Sequence, residues 1–294
     1  MKGITYSMKN DKIYNYYKAT GPLQYNMTND YLFRMVLQKD YDTLVMLICS
    51  LLHLQRDDVI DAHIDNPITP GDAISDKEYQ LDIVVILNGN ITINLEMQVI
   101  NYSNWTDRSL SYLCRKFDSI ARGDDYNNVN SVYQIGFLDF TLFEGHPEFF
   151  ASYQMRNSKD SFLYTDKFNL FVLELNHTDM ATSEDRLYGI DIWAKLFKAN
   201  TWEEIKMITK DNPSMSSTAE AIFMSTADEK IREQCRIRED NIAHEIYQTN
   251  LIKTLTEKNE SLSNENRSLS DENRSLSDEN LRLKKLLETN GIKP

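Results

Sequence analysis

The sequence predicts an α/β fold in which helices flank a mixed sheet. Three observations predict it: an amphipathic helix early in the chain, a β-hairpin signature over residues 81–99, and a helix followed by a strand after that hairpin. At 294 residues, the chain is long enough for one large domain or two modest ones. Only 9 glycines and 6 prolines occur, which excludes collagen-like proteins and proteins rich in proline and glycine.

The first predicted elements precede the hairpin. Thr28 or Asn29 can cap a helix that begins at Asp30, because apolar residues recur at helical spacing after that point. A second helix is predicted over residues 43–54. A short strand is predicted over residues 59–64, where β-branched residues precede an Asn-Pro turn signal.

The hairpin is the strongest strand signal in the chain. Two runs rich in β-branched residues, 81–87 and 91–99, flank Asn88-Gly89-Asn90, and Asn-Gly between such runs is typical of a hairpin turn. If these three residues form the loop, Asp82 lies directly opposite Glu96 on the neighbouring strand. A two-residue turn would shift this register by one residue.

The facing carboxylates point to a metal site. Facing residues of an antiparallel pair have Cβ atoms about 4.5–5.5 Å apart. At that distance Asp82 and Glu96 repel each other unless a cation lies between them or one is protonated. Mg²⁺ binds one or two carboxylates together with water and phosphate oxygens, and Gln98 lies beside Glu96 on the same face. The alternative is an ordinary hairpin whose polar face lies in solvent.

Helices and strands alternate after the hairpin. Ser103 or Asn104 can cap a helix that runs to Arg122, on which Arg108 and Tyr112 are neighbours one turn apart. Arg108 can clamp a phosphate, or it can be a surface arginine that packs over Tyr112, and the sequence leaves both open. The later elements are strands over 131–140 and 168–175 and helices over 185–200, 203–208 and 220–246.

The end of the chain is an internal repeat with a period of seven residues. The repeat starts at Ser261, Ser268 and Ser275, and leucine and asparagine each recur at one heptad position, as in a coiled coil. Asparagine in the seam favours a parallel, in-register dimer, and the alternative is a long solvated helix. The seam residues are Leu255, Leu262, Leu269, Leu276 and Leu283 at one position and Ile252, Asn259, Asn266, Asn273, Asn280 and Leu287 at the other.

Charge and cysteine content limit the possible partners and compartments. The formal net charge is −13, so any contact with nucleic acid must be local, metal-assisted or weak. The 3 cysteines lie far apart without a CxxC motif, which favours a reducing compartment. Without a signal peptide or a membrane-length apolar run, we expect a soluble, cytoplasmic protein that does not contact a membrane. No glycine-rich phosphate-binding motif occurs, so no nucleotide cofactor is expected.

The order helix, three strands, helix, strand resembles the αβββαβ core of the PD-(D/E)XK nucleases, the restriction-endonuclease-like superfamily. More narrowly, the chain resembles the Rpn family of recombination-promoting nucleases, which are also described as PD-(D/E)XK family transposases. The resemblance covers roughly residues 25–245. It is carried by Asn29-Asp30-Tyr31-Leu32-Phe33-Arg34, Leu81-Asp82-Ile83, Leu95-Glu96-Met97-Gln98, Arg108 with Tyr112, the strand over 133–143 and the helix over 193–197.

The resemblance implies a DNA endonuclease that depends on Mg²⁺ or Mn²⁺ and is linked to DNA recombination, mobile elements or phage defence. Asp82 and Glu96 would be the metal ligands, and Asp30 would project toward the metal from the first helix. Gln98 stands where the superfamily usually has lysine, so it could orient water but could not titrate. The pair Arg108 and Tyr112 would bind the substrate.

The resulting expectation is a four-part chain: an arm (1–24), a nuclease-like domain (25–180), a helical extension (181–246) and a coiled coil (247–290). The coil would join two catalytic heads into a homodimer, one for each strand of a duplex. The alternative is a catalytically degenerate nuclease fold that acts as a coiled-coil oligomerisation or regulatory module.

Overall fold

The structure is a computed structural model that describes residues 15–69, 82–118, 123 and 125–291. It divides into two compact units after Asp240. The first unit contains a six-stranded mixed sheet and the helices that flank it. The second consists of most of one long helix. The four-part division expected from the sequence stays a prediction.

The sheet has the strand order β1-β2-β3-β4-β6-β5. Strands β1 to β3 are antiparallel, β3, β4 and β6 are parallel, and β5 is antiparallel to β6. The parallel step from β3 to β4 requires a crossover, which helix α3 provides. The strands are β1 (Ala62–Ile64), β2 (Ile83–Leu87), β3 (Ile91–Gln98), β4 (Ser131–Leu138), β5 (Phe150–Gln154) and β6 (Phe168–Glu174).

The helices follow the predicted order with corrected boundaries. Asn29, not Thr28, caps the first helix by accepting a hydrogen bond from the Leu32 amide. The helices are α1 (Asp30–Lys39), α2 (Tyr41–Leu52), α3 (Trp105–Phe117), α4 (Ser183–Leu187), α5 (Ile190–Lys198), α6 (Trp202–Asp211), α7 (Ser216–Ala227) and α8 (Glu229–Thr289). None of the helices that the structure describes is long and apolar enough to cross a membrane.

The hairpin register agrees with the prediction. Leu87 lies opposite Ile91, and the pairing continues to Ile83 opposite Leu95. Asn88 and Gly89 both have positive φ angles, of 50° and 73°, which a turn of this kind needs and which glycine adopts without strain.

The polar face of β3 is buried. Asn94 and Glu96 are each only 2% exposed, because α3 packs over this face of the sheet. The alternative of a hairpin with its polar face in solvent is therefore wrong.

Several predicted elements differ from the structure. The helix predicted over 185–200 is interrupted at Gly189, whose φ of 70° is left-handed. The helix predicted over 220–246 is two helices that break at Asp228, whose carboxylate accepts a hydrogen bond from the Lys230 amide. The strand β5 was not predicted at all.

Two other predictions fall partly outside the described residues. The helix predicted to reach Arg122 is described to Phe117, and residues 119–122 lie outside. The predicted arm is described only from residue 15, where Asn15–Lys18 form a short 3₁₀ helix with Tyr16 buried.

The two faces of the sheet are covered differently. On one face Phe33 of α1, Phe137 of β4 and Phe197 of α5 form a cluster with ring centroids 5.2–5.5 Å apart. On the other face Trp105 of α3 lies against Gly136 of β4, so closely that a Cβ at Gly136 would be 2.1 Å from the indole ring. This contact packs α3 directly against β4, on the face of the sheet that carries Glu96 of β3.

Candidate active site

Three buried carboxylates come together from separate elements. Asp30 begins α1, Asp82 precedes β2, and Glu96 lies near the end of β3. The negative charges of Asp82 and Asp30 both raise the pKa of Glu96, so the three groups share one electrostatic environment. The structure therefore gathers three of the side chains that the sequence proposes for catalysis.

Glu96 is the most strongly perturbed of the three. Burial, followed by the charge of Asp82, raises its pKa from an ordinary 4.5 to about 8. Two contacts oppose this shift: Arg108 Nη2 lies 2.6 Å from Glu96 Oε1, and Gln134 Nε2 donates to Glu96 Oε2 at 3.2 Å. Without a further positive charge nearby, the carboxylate form of Glu96 is costly at neutral pH.

Asp82 is held through both its main chain and its side chain. Its carbonyl oxygen accepts hydrogen bonds from Arg34 Nη1 at 2.5 Å and from Asn66 Nδ2 at 2.9 Å. Burial raises the pKa of the Asp82 carboxyl, while Arg108 and a side-chain hydrogen bond from Asn94 lower it. Arg34, which is almost completely buried, thus fixes the point where β2 begins.

Asp30 is paired with an arginine from the far end of the unit. Arg238 Nε, on α8, lies 2.9 and 2.8 Å from the two carboxylate oxygens of Asp30. Burial raises the pKa of Asp30, and Arg238 opposes that increase. The base of α8 therefore contributes a residue to the carboxylate cluster.

The two residues predicted to bind substrate lie side by side. The Arg108 guanidinium is 5.5 Å from the centre of the Tyr112 ring, and its side chain remains 29% exposed. Because Arg108 also contacts Glu96, it is more than a surface arginine packed over Tyr112. Gln98 lies on the same face of β3, but its amide donates to the Ile100 carbonyl at 2.9 Å.

Four participants were not identified from the sequence. Arg34 lies in a motif quoted for the resemblance but had no assigned role, and Asn94 lies on the polar face of the hairpin. Gln134 is a single amide within an apolar strand, which is a signal that a buried polar contact exists. Arg238 carries no local signal, because its partner lies 208 residues away.

The donor chemistry of Asp82 and Glu96 suits a hard divalent cation. Each is a carboxylate, and the charge of Asp82 raises the pKa of Glu96, a repulsion that a cation would relieve. Among the described residues, no group of three or more His, Cys, Asp and Glu side chains is arranged to hold a metal ion. A cation here would thus depend on two carboxylates, a set that Mg²⁺ accepts when water and phosphate oxygens complete its shell.

Comparison with known proteins gives one match. A family model described as a PD-(D/E)XK nuclease family transposase matches residues 27–251, about three quarters of the chain. The matched range includes all three carboxylates and the base of α8. No curated protein and no solved structure matches the chain.

Proposed function

The chain belongs to the PD-(D/E)XK nuclease family transposases, and from this membership we propose that it is a metal-dependent DNA endonuclease. The observation that carries the proposal is the buried pair Asp82 and Glu96 beside the partly exposed Arg108. In this proposal Asp82 and Glu96 hold Mg²⁺ or Mn²⁺, and Asp30 adds a third negative charge. The biological setting would be DNA recombination, mobile-element activity or phage defence.

The chain's own residues would bind and orient the scissile phosphate. A bound divalent ion would lower the pKa of a water molecule that it holds and would neutralise charge on a phosphate. Arg108, whose guanidinium is partly exposed, can donate two hydrogen bonds to phosphate oxygens, with Tyr112 stacked against it. Gln98 can orient a water molecule once its amide leaves the Ile100 carbonyl, but it cannot accept a proton.

The acidity of the chain makes these local contacts important. With a net charge of −13, the protein as a whole repels a phosphate backbone. Binding of DNA would then depend on a few arginines and on the cation, so we expect it to weaken sharply when the cation is chelated.

We also propose that α8 forms a parallel coiled-coil homodimer. The leucines at every seventh position of α8 are 48–56% exposed, so they form an apolar stripe along one side of the helix. In this dimer the two heads would each cut one strand of a duplex. The stripe consists of Leu255, Leu262, Leu269, Leu276 and Leu283.

Light scattering on the full chain tests this dimer. We expect a mass of two chains for the wild type and of one chain for a variant with both Leu269→Lys and Leu276→Lys. The matched control is Asp271→Lys, which adds a lysine outside the seam and should leave the dimer intact. A wild-type mass of one chain at micromolar concentration would contradict the coiled coil.

One observation favours a second function, a degenerate nuclease fold that acts as an oligomerisation or regulatory module. Gln98 stands at the position where the superfamily usually has lysine, and its amide is occupied by the Ile100 carbonyl. Such a module would keep the coil but would not require a divalent cation.

Cleavage of DNA separates the two functions. Supercoiled and linear duplex DNA, single-stranded DNA and RNA are incubated with the purified chain and Mg²⁺ or Mn²⁺. The nuclease proposal predicts that the wild type cuts DNA and that Asp82→Asn does not. Asp57→Asn, which removes an exposed acid, is the control and should cut normally. A wild type that is inactive with every metal and substrate would favour the module.

A further inference from the structure

Two buried amide side chains connect the two proposed metal ligands. Asn94, which faces Val84 two residues from Asp82, interacts through its side chain with the Asp82 carboxyl, and Gln134 Nε2 donates to Glu96 Oε2 at 3.2 Å. The amides also bond to each other, since Asn94 Nδ2 donates to Gln134 Oε1 at 2.9 Å. The result is a continuous series of polar contacts from one carboxylate to the other.

The backbone fixes where these amides lie. Asn94 and Gln134 face each other on the parallel strands β3 and β4, and the next pair on the same face is Glu96 with Gly136. Because Gly136 has no side chain, the Gln134 side chain on that face can reach Glu96. Strand register therefore brings one amide to each carboxylate.

The direction of each hydrogen bond is also determined. The ionised carboxylate, which is the form that binds a cation, only accepts, so in that form the nitrogen of Gln134 faces Glu96. Its oxygen is then turned toward Asn94, which must donate. Since Gln134 and Asn94 are 0% and 2% exposed, either amide would be costly to bury if it lost these partners. The arrangement has one orientation for each side chain.

We propose that Asn94 and Gln134 are positioning residues, which hold Asp82 and Glu96 in one shared orientation so that both can bind the same divalent cation. This inference rests on the proposed nuclease function and deepens it. Hydrogen bonds to ligating carboxylates orient the ligands, and their removal typically lowers metal affinity or activity about 10–100-fold.

Another amide pair in the same sheet provides a matched control. Gln154 Nε2 of β5 donates to Asn169 Oδ1 of β6 at 3.2 Å, and Asn169 donates to the Asp166 carbonyl. These contacts join amides and a main-chain carbonyl, and they do not include the carboxylates of the site. Loss of this pair should affect packing without affecting the cation.

The experiment measures cation binding apart from cleavage. The melting temperature of the full chain is followed as Mg²⁺ or Mn²⁺ is added to the wild type, Gln134→Met, Asn94→Leu and the control Gln154→Met. We expect the cation concentration for half-maximal stabilisation to rise about 10–100-fold in the first two variants. The control should titrate as the wild type does. In parallel DNA-cleavage assays at a cation concentration that saturates each variant, KM for DNA should stay unchanged.

The outcomes separate this inference from the proposed function. A lower melting temperature with an unchanged cation titration would show that the amides only stabilise the fold, and would overturn the inference. If one variant does not fold, the other is decisive. If the wild type binds the cation but does not cut DNA, the nuclease proposal fails. The cation titration then still decides whether the two amides position the carboxylates. A wild type that binds no cation overturns both.

Discussion

Replacing Glu96 with glutamine should remove most of the pH dependence of stability in the cation-free protein. The folded-state pKa of Glu96 is about 8, against an ordinary value of 4.5. Between these two pH values the folded chain keeps a proton that the unfolded chain has lost, so the free energy of unfolding falls as pH rises. At about 1.4 kcal/mol per pH unit, the full loss approaches about 5 kcal/mol.

Glutamine keeps the shape of the side chain but does not titrate. The raised pKa values of Asp82 and Asp30 act in the same direction, so they contribute to the slope that remains in Glu96→Gln. A saturating divalent cation binds the ionised carboxylates, and it should reduce the wild-type slope as well. The control Glu260→Gln, which removes an exposed carboxyl from the second unit, should keep the wild-type slope and the wild-type response to the cation.

The assay is urea unfolding at pH 5.5 and pH 8.5 in the presence of EDTA. We expect the wild type to lose several kcal/mol between these conditions with a constant m-value, and Glu96→Gln to lose much less. A wild-type stability that is constant or increases with pH would refute the reasoning. So would a glutamine variant with the same slope as the wild type.

Two further substitutions test how the site is assembled. Gly136→Ala places a Cβ 2.1 Å from the Trp105 ring, so we expect thermal unfolding to show a loss of about 1–3 kcal/mol, whereas Gly145→Ala, with nothing within 4 Å, should be nearly neutral. Arg238→Gln leaves Asp30 buried without its guanidinium partner, and urea unfolding at neutral pH should show a loss of about 3–5 kcal/mol. Adding Asp30→Asn should restore much of that loss, and a purely additive double variant would contradict the pairing.

Local signals explain the parts of the fold that the sequence predicts. The hairpin register follows from Asn88-Gly89-Asn90, because the loop length decides which residues face each other. A cap at Thr28 or Asn29 is also predictable, since a cap depends on residues within one turn, and the structure selects Asn29. Strand β5 has no such signal, because two of its middle residues, Ser152 and Tyr153, are exposed and the strand does not alternate clearly.

The site is predictable only where it depends on neighbouring elements. Asp82 and Glu96 lie in one hairpin, so counting residues from the turn is enough to pair them. Gln134 reaches Glu96 through the parallel register of β3 and β4, which a crossover helix separates in sequence. Arg238 reaches its partner across most of the chain. Both contacts depend on tertiary packing, which short-range patterns do not encode.

The charge balance of the site indicates which arginine can exchange partners. Three carboxylates are buried with three arginines, so the cluster is close to neutral when both sets are ionised. Its members are Asp30, Asp82 and Glu96 with Arg34, Arg108 and Arg238. Arg34 is held by main-chain carbonyls deep in the unit, and the side chain of Arg238 is 18% exposed and chelates a carboxylate. Arg108 is the most exposed of the three, at 29%.

A divalent cation would make the cluster positive and weaken the ion pair between Glu96 and Arg108, so that a phosphate could then bind Arg108. We therefore expect cation and phosphate to bind with positive coupling, and we expect replacement of Arg108 by glutamine to reduce that coupling.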